Sequence, residues 1–267
     1  MSERNAIAIA AHPDDIEFCM GGTLLLLRQA GYSIHYLNIS TGSCGSEVIK
    51  AGALRTIRRR EAKKAAALLG ATYHESRTDD LEILYTVPLL RWLTGVIRTV
   101  RPTIILTHSP QDYMEDHATT CRLAVTAAFA RGAPNFKSGT RVPAWSGETT
   151  VYHAMPHGLR DSLRRRITAG AYVNTAAVHA TKRAALTCHQ SQQDWLKATQ
   201  GMNSYLQSME DLSRAVGRLS GRFQHAEGWR RHSHLGFCAE QADPLREALG
   251  RACLINRAYE RGLERGE

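Results

Sequence analysis

Apolar positions along the first half of the chain alternate between two periodicities. Residues 6–11 read AIAIAA, a continuous apolar run of the kind found in a strand buried on both faces. Gly21-Gly22-Thr23 then opens an apolar segment through Leu27 towards Ala30, predicting a helix that ends at Gly31. Residues 33–39 alternate and are rich in β-branched and aromatic side chains, which predicts a second strand. Residues 58–69 carry apolar positions at helical spacing and stop at Gly70. A short strand at 71–74, a helix at 87–100 ending before Pro102, and a buried strand at 103–106 follow. Strands separated by crossover helices predict an α/β fold class with a mostly parallel sheet and helices on both faces.

The second half is less regular. A helix is predicted over 117–130, then a Gly- and Pro-rich loop over 132–147, short strands at 151–153 and 171–173, and helices over 181–203, 206–218 and 245–262. No linker, repeat or low-complexity stretch divides the 267 residues, so a single domain spanning 1–267 is expected. Its catalytic core would span about 5–130, with pocket walls and C-terminal helices over about 131–267.

A net charge of +9 raises nucleic acid or another anion as a partner. Much of the excess lies in Arg58-Arg59-Arg60, Arg164-Arg165-Arg166 and Arg230-Arg231. The first two runs fall in segments with an amphipathic helical pattern, where solvated helix faces account for them. Six cysteines without a C-x-x-C pair suit a reducing compartment and support neither a disulfide framework nor a zinc knuckle. The apolar run at the N-terminus is short for a signal peptide, and residues 24–27 fall far below a membrane span. The expectation is a cytoplasmic protein with no membrane and no nucleic-acid partner; oligomeric state leaves no mark on the sequence.

In parallel sheets, sites form at the carboxyl ends of strands, and two chemistry-bearing loops occupy such places. His12-Pro13-Asp14-Asp15 stands directly after the first strand. His12 and Asp15 can point to one ion across the proline turn, leaving Asp14 to face a water that needs a proton acceptor. The second loop runs from His108 through Asp112, Met114 and Asp116 to His117. His117 can supply a third ligand, and Asp116 can orient a ligand imidazole. An Asp-rich surface turn is the plain alternative for the first loop; two such clusters at strand ends tilt the reading towards a metal site.

Ala11-His12-Pro13-Asp14-Asp15 followed by Gly21-Gly22-Thr23 resembles the opening motif of the LmbE/PIG-L family of N-acetylglucosaminyl deacetylases. The resemblance continues through Thr41-Gly42, Arg58-x-x-Glu61, Leu69-Gly70, Asp116-His117, Tyr172-Val173, Lys182, His189-x-Ser191-Gln192 and Ala226-Glu227-Gly228-Trp229. It implies a Rossmann-like, LmbE-like sheet, a zinc ion on His12, Asp15 and His117, and Asp14 as general base. It also implies a small-molecule substrate, an N-acetyl amino sugar or glycoconjugate. Iron(II), cobalt or nickel suits the same ligands. The sequence departs from the family at Met114, where a histidine usually stands three positions before the metal-binding one. Either another histidine fills the gap (His189, His232 and His234 are the candidates), or the ion alone stabilises the oxyanion, or the chain binds metal without turnover.

Four further positions are weighed as substrate contacts. Arg58 is read as gripping a sugar hydroxyl or phosphate, or else as pairing with Glu61 along its helix. Asp80 is read as binding hydroxyls, or as a turn. Glu227 and Trp229 are read as shaping the pocket rim, with core packing the alternative for Trp229. The expected activity is hydrolysis of an N-acyl, above all N-acetyl, group to acetate and free amine. The rivals are a same-fold amidase acting on another amide such as a thiol conjugate, and a protein binding metal or an anionic partner without catalysis. A dinucleotide-dependent oxidoreductase is excluded because no G-x-G-x-x-G follows the first strand.

Overall fold

A computed structural model describes residues 4–200 and 205–266. In chain order, β1 (Asn5–Ala10) leads into α1 (Asp15–Cys19) and α2 (Gly21–Gln29), then β2 (Ser33–Asn38), α3 (Ala51–Leu69) and β3 (Ala71–His74). After these come α4 (Val87–Val100), β4 (Ile104–Thr107), α5 (Glu115–Ala130), β5 (Thr150–Ala154) and β6 (Ala171–Asn174). The remainder comprises α6 (His179–Thr187), α7 (Gln190–Gln200), α8 (Tyr205–Leu219), β7 (Ala226–Arg231), α9 (Pro244–Leu249), β8 (Cys253–Ile255) and α10 (Arg257–Arg265).

One eight-stranded sheet, in the order β3-β2-β1-β4-β5-β7-β6-β8, runs through these elements. The pairs among β3, β2, β1, β4 and β5 are parallel. The pairs β5–β7, β7–β6 and β6–β8 are antiparallel. Strand β1 is buried on both faces because its alternate residues feed two cores. Ala6, Ala8 and Ala10 meet Leu24 and Leu27 of α2 and Ala62, Ala65 and Leu69 of α3. Ile7 and Ile9 meet Leu93 and Ile97 of α4 and Leu123 and Ala127 of α5. Small alanines on one side and branched isoleucines on the other set how closely each helix pair approaches the sheet. The chain reverses direction across the sheet between β1 and β4, so the loops after these two strands share one crevice.

Several elements differ from the sequence expectation. Helix α3 begins at Ala51, well before the start its apolar repeat suggests, and a short helix, α1, starts at Asp15, the last residue of the expected loop. The helix expected over 181–203 is two helices, its far end at Asn203 lying outside the described residues. The break falls where Glu61 of α3 accepts from Ser191 N at 2.9 Å and from Ser191 Oγ at 2.6 Å, capping the first turn of α7 from outside. The single helix expected over 245–262 ends at Gly250, whose φ of +49° breaks it, and Cys253–Ile255 pair with β6. Arg164-Arg165-Arg166 belong to no helix. They lie in a tight turn closed by an Arg160–Arg166 bridge, and Asp161 Oδ1 accepts from Leu163 N and Arg165 N. Among the described residues, no helix is long and apolar enough to cross a membrane.

Candidate active site

The loop after β1 is held in place by its neighbours before any chemistry is considered. Ala11 N donates to His108 Nε2 at 2.9 Å, Asn38 Nδ2 donates to the His12 carbonyl at 2.6 Å, and Ser40 N donates to the Ala11 carbonyl at 2.8 Å. At Asp14 the backbone takes φ +114°, a strained conformation for a residue with a side chain and one that turns the chain sharply into α1.

This turn brings His12, Asp15 and His117 together, with donor atoms all within 4.8 Å of one another. His117 Nε2 lies 3.4 Å from Asp15 Oδ1, and His12 Nδ1 lies 3.5 Å from Asp15 Oδ2. The far nitrogen of each imidazole is held by a carboxylate. His12 Nε2 is 2.9 Å from Asp116 Oδ2, and His117 Nδ1 is 3.1 Å from Asp112 Oδ1. Carboxylates behind ligand imidazoles fix the tautomer and aim the free lone pair inward, so the donor set and its backing fit a divalent transition ion.

Charges inside the cluster are strongly coupled. Burial alone would raise the Asp15 carboxyl, but His117 and His108 beside it hold it well below the usual carboxylate range. Burial would lower His12, yet its hydrogen bonds to Asp116 and Asp15 raise it to about 9. For His117, burial is outweighed by the charge of Asp15 and the hydrogen bond to Asp112, which raise it to about 10. Burial pushes Asp14 up to about 6, opposed in part by the Arg58 guanidinium.

A cavity of about 540 Å³ opens over this cluster. Its walls include Phe18, Tyr113, Met114, His157, Trp195 and Tyr205, so it is largely apolar and aromatic. Asp14 lines it, as do Met114, Arg58 and Asp80. Arg58 is almost wholly buried, and its terminal nitrogens are engaged: Nη2 donates to the Pro13 carbonyl at 2.5 Å, and Nη1 donates to Gln192. It braces the His12–Asp15 loop from behind and does not pair with Glu61, which is turned to Ser191. The guanidinium lies over Gly42, where a Cβ would meet Arg58 Nε at 2.3 Å; Gly42 also has φ +76°. Asp80 uses its oxygens to fold the 41–44 loop, accepting from Ser40 Oγ and Gly42 N at 2.8 Å and from Cys44 N at 3.0 Å.

Other expected positions fall away from the cavity. Trp229 is fully buried in the sheet core, with its indole donating to Thr23 Oγ1 at 3.0 Å, and Glu227 is buried beside it under α2. Neither shapes a rim. Of the three histidines proposed to replace the one missing at Met114, none lines the cavity. His189 is sealed behind Asp14 with Nε2 3.4 Å from Glu17 Oε1, His232 Nδ1 meets His153 Nε2 at 3.0 Å, and His234 sits beyond β7. The additional imidazoles in the cavity wall are His108, stacked on His117 with ring centroids 4.1 Å apart, and His157. Sequence reasoning assigned no role to His108, Asp112, His157 or Tyr205. For Asp112 a signal was present, since a carboxylate five residues before a ligand histidine in a loop can reach back to its ring.

Comparison with known proteins places these residues in context. The family described as PIG-L: GlcNAc-PI de-N-acetylase matches residues 7–129. The 4-oxalmesaconate hydratase of Pseudomonas putida is 28% identical over 236 residues, covering 85% of this chain and 88% of the relative. The diacetylchitobiose deacetylase of Thermococcus kodakarensis is 32% identical over 139 residues, covering 50% of this chain and 52% of the relative. In three dimensions, the N,N'-diacetylchitobiose deacetylase of Pyrococcus horikoshii superposes with a TM-score of 0.73 at 23% identity, covering 91% of this chain and 89% of that one. At that identity the likeness speaks for the fold.

Proposed function

Residues 7–129 form a PIG-L (LmbE-like) family domain, and from that premise we propose that this chain is a zinc-dependent N-deacetylase of an amino sugar or its conjugate. The observation that carries the reading is the convergence of His12, Asp15 and His117, each imidazole backed by a carboxylate, with Asp14 beside them at the cavity wall. Two imidazoles and one carboxylate are a catalytic zinc set that leaves a position open. A zinc ion held there supplies Lewis acidity, acidifying water and polarising an amide carbonyl.

The residues supply the rest. Asp14, with a pKa raised to about 6, accepts the proton of the attacking water. In this reading the same carboxyl returns that proton to the departing nitrogen as the C–N bond breaks, giving acetate and free amine. Phe18, Tyr113 and Trp195 offer faces on which a sugar ring packs. Met114 supplies no proton and no hydrogen-bond donor, so Asp14 carries the proton in this reading, with His157 a further imidazole at the cavity wall.

One observation favours a second reading, hydration of a double bond: the hydratase relative matches along 88% of its own length. Its named substrate, an oxal-substituted mesaconate, is a polycarboxylate and calls for several cationic anchors. Among the described residues, the cavity wall offers a single guanidinium, Arg58, whose terminal nitrogens are already engaged. The deacetylase reading therefore stands first. It is tested by incubating zinc-loaded protein with N,N'-diacetylchitobiose and N-acetylglucosamine conjugates and measuring acetate, with 4-oxalmesaconate in parallel. Acetate release that disappears in Asp14→Asn supports the proposal; turnover of 4-oxalmesaconate alone replaces it.

A further inference from the structure

The α7–α8 pair covers the cavity from outside the parallel sheet: Trp195 and Gln192 come from α7, Tyr205 and Ser208 from α8. Tyr205 is buried, and its phenol donates to Asp14 Oδ2 from 191 positions away in sequence. Its ring packs against Phe18 at a centroid distance of 5.8 Å and belongs to a small apolar cluster with Leu186 and Met209. Asp14 is equally buried and sits on a strained backbone, so its side chain needs an external support to keep one orientation. The nearest nitrogen of Arg58 is 3.9 Å from the same oxygen, beyond hydrogen-bonding reach. Among the described residues, Oδ1 receives no hydrogen bond, and Asp14 lines the cavity.

We propose that Tyr205 is the positioning residue of Asp14: its phenol holds Oδ2 so that Oδ1 is presented to the cavity as the proton-accepting oxygen. This inference rests on the reading of Asp14 as general base. It makes α8, an element outside the segments after β1 and β4 that carry His12, Asp15 and His117, part of what sets the reaction rate. The role differs from core packing because it resides in one oxygen atom. Phenylalanine keeps the ring contacts with Phe18 and Met209 and removes only the donor.

The test uses Tyr205→Phe in the full chain, loaded with zinc, with N,N'-diacetylchitobiose as the probe. The expected result is a fall in kcat of about tenfold to a hundredfold, the range for losing a buried hydrogen bond to a charged group. KM should stay within about twofold, because the phenol contacts the base rather than the substrate. Zinc content by elemental analysis should match wild type. A Tyr205→Phe enzyme with wild-type kcat overturns the proposal. A second measurement needs no substrate: melting temperatures of wild type, Asp14→Asn, Tyr205→Phe and the double variant. Removing the phenol should lower the melting temperature when Asp14 is present and have at most about half that effect in the Asp14→Asn background. Equal effects in both backgrounds overturn the pairing. If the wild type releases no acetate from any sugar, the deacetylase reading fails, and this cycle alone decides whether Tyr205 positions Asp14.

Discussion

His12 and His117 each turn one ring nitrogen towards Asp15 because Asp116 and Asp112 hold the other. Asp116 also accepts from Leu81 N at 2.8 Å and Asp112 from Met114 N at 3.2 Å, so both carboxylates are fixed by backbone before they fix the imidazoles. Replacing either by asparagine should weaken zinc binding about tenfold to a hundredfold while leaving the fold intact, measured by competition with a chelator. His12→Ala or His117→Ala should abolish stoichiometric binding; retention of zinc in both would remove the site from consideration. A further prediction follows from protons. Without metal, the two imidazoles are charged below about 9 and about 10, and zinc binds only their neutral forms. Zinc uptake at pH 7 should therefore release protons into weakly buffered solution, and affinity should fall as pH falls. Uptake without proton release would contradict the assigned ligands. At this scale the sequence was legible where the chemistry is contiguous. His-Pro-Asp-Asp follows a strand, and Asp116 adjoins His117. It was opaque where partners meet across the fold, as for Tyr205 with Asp14, or Arg58 with the Pro13 carbonyl and Gln192. No periodicity announces such pairs.

Helix α2 starts without a side-chain cap of its own, and the residue that satisfies its first turn comes from strand β7. Glu227 accepts from Gly22 N at 2.8 Å, Thr23 N at 2.7 Å and Thr23 Oγ1 at 2.6 Å, while Lys182 Nζ of α6 donates to it at 2.7 Å. Gly22 allows this approach, since a Cβ there would meet Thr175 Cγ2 at 2.5 Å. The motif pieces Gly21-Gly22-Thr23, Lys182, Glu227 and Trp229 thus converge on one buried network that ties three elements together, away from the cavity. Lys182 and Glu227 are 1% and 3% exposed, so Glu227→Ala leaves a buried ammonium without its partner. Breaking such a pair costs about 3–5 kcal/mol, or a drop of about 6–20 °C in melting temperature for a domain of this size. Scanning calorimetry checks this, and Lys182→Met combined with Glu227→Gln should recover part of the loss. A shift of under about 2 °C for Glu227→Ala would mean that Glu227 is not what ties α2 and α6 to β7. Element by element, the parallel half followed from its apolar runs. Strand β7 did not, because AEGWRR has neither alternation nor a continuous apolar run; it is a strand only because β5 and β6 flank it.

Across the whole molecule, the parallel strands carry the segments that bring His12, Asp15 and His117 together, and the antiparallel extension carries the cover, joined at β5, which pairs one way with β4 and the other with β7. Of the histidines away from His12 and His117 that burial lowers, three are taken furthest. Burial, with the charge of His35, takes His74 to about 4. Burial takes His153 to about 4 against its hydrogen bond to the His108 carbonyl, with His232 and Arg230 adding to the lowering. Burial and the charge of His225 bring His179 to about 4. An unfolded histidine titrates near 6.5, so between about pH 6.5 and 4 the unfolded chain binds more protons than the folded one. Stability from these groups is therefore complete above about pH 6.5 and is lost as pH falls towards 4. Asp14 acts with the opposite sign, and so do His12 and His117 without metal, whose raised values favour the folded state as pH falls towards about 6.5; below that their contribution is complete, and Asp14 alone does not cancel three imidazoles. Folding a chain of net charge +9 that gains further positive charge in acid adds to the loss. The melting temperature of the metal-free protein should thus change little between pH 7 and about pH 6 and fall from about pH 6 towards pH 4. Replacing His153 by asparagine, which does not titrate, should flatten that slope by about one proton's share even if it lowers the starting value. A slope unchanged by His153→Asn would show that His153 titrates alike in the folded and unfolded chain, and that acid lability arises elsewhere in the sheet.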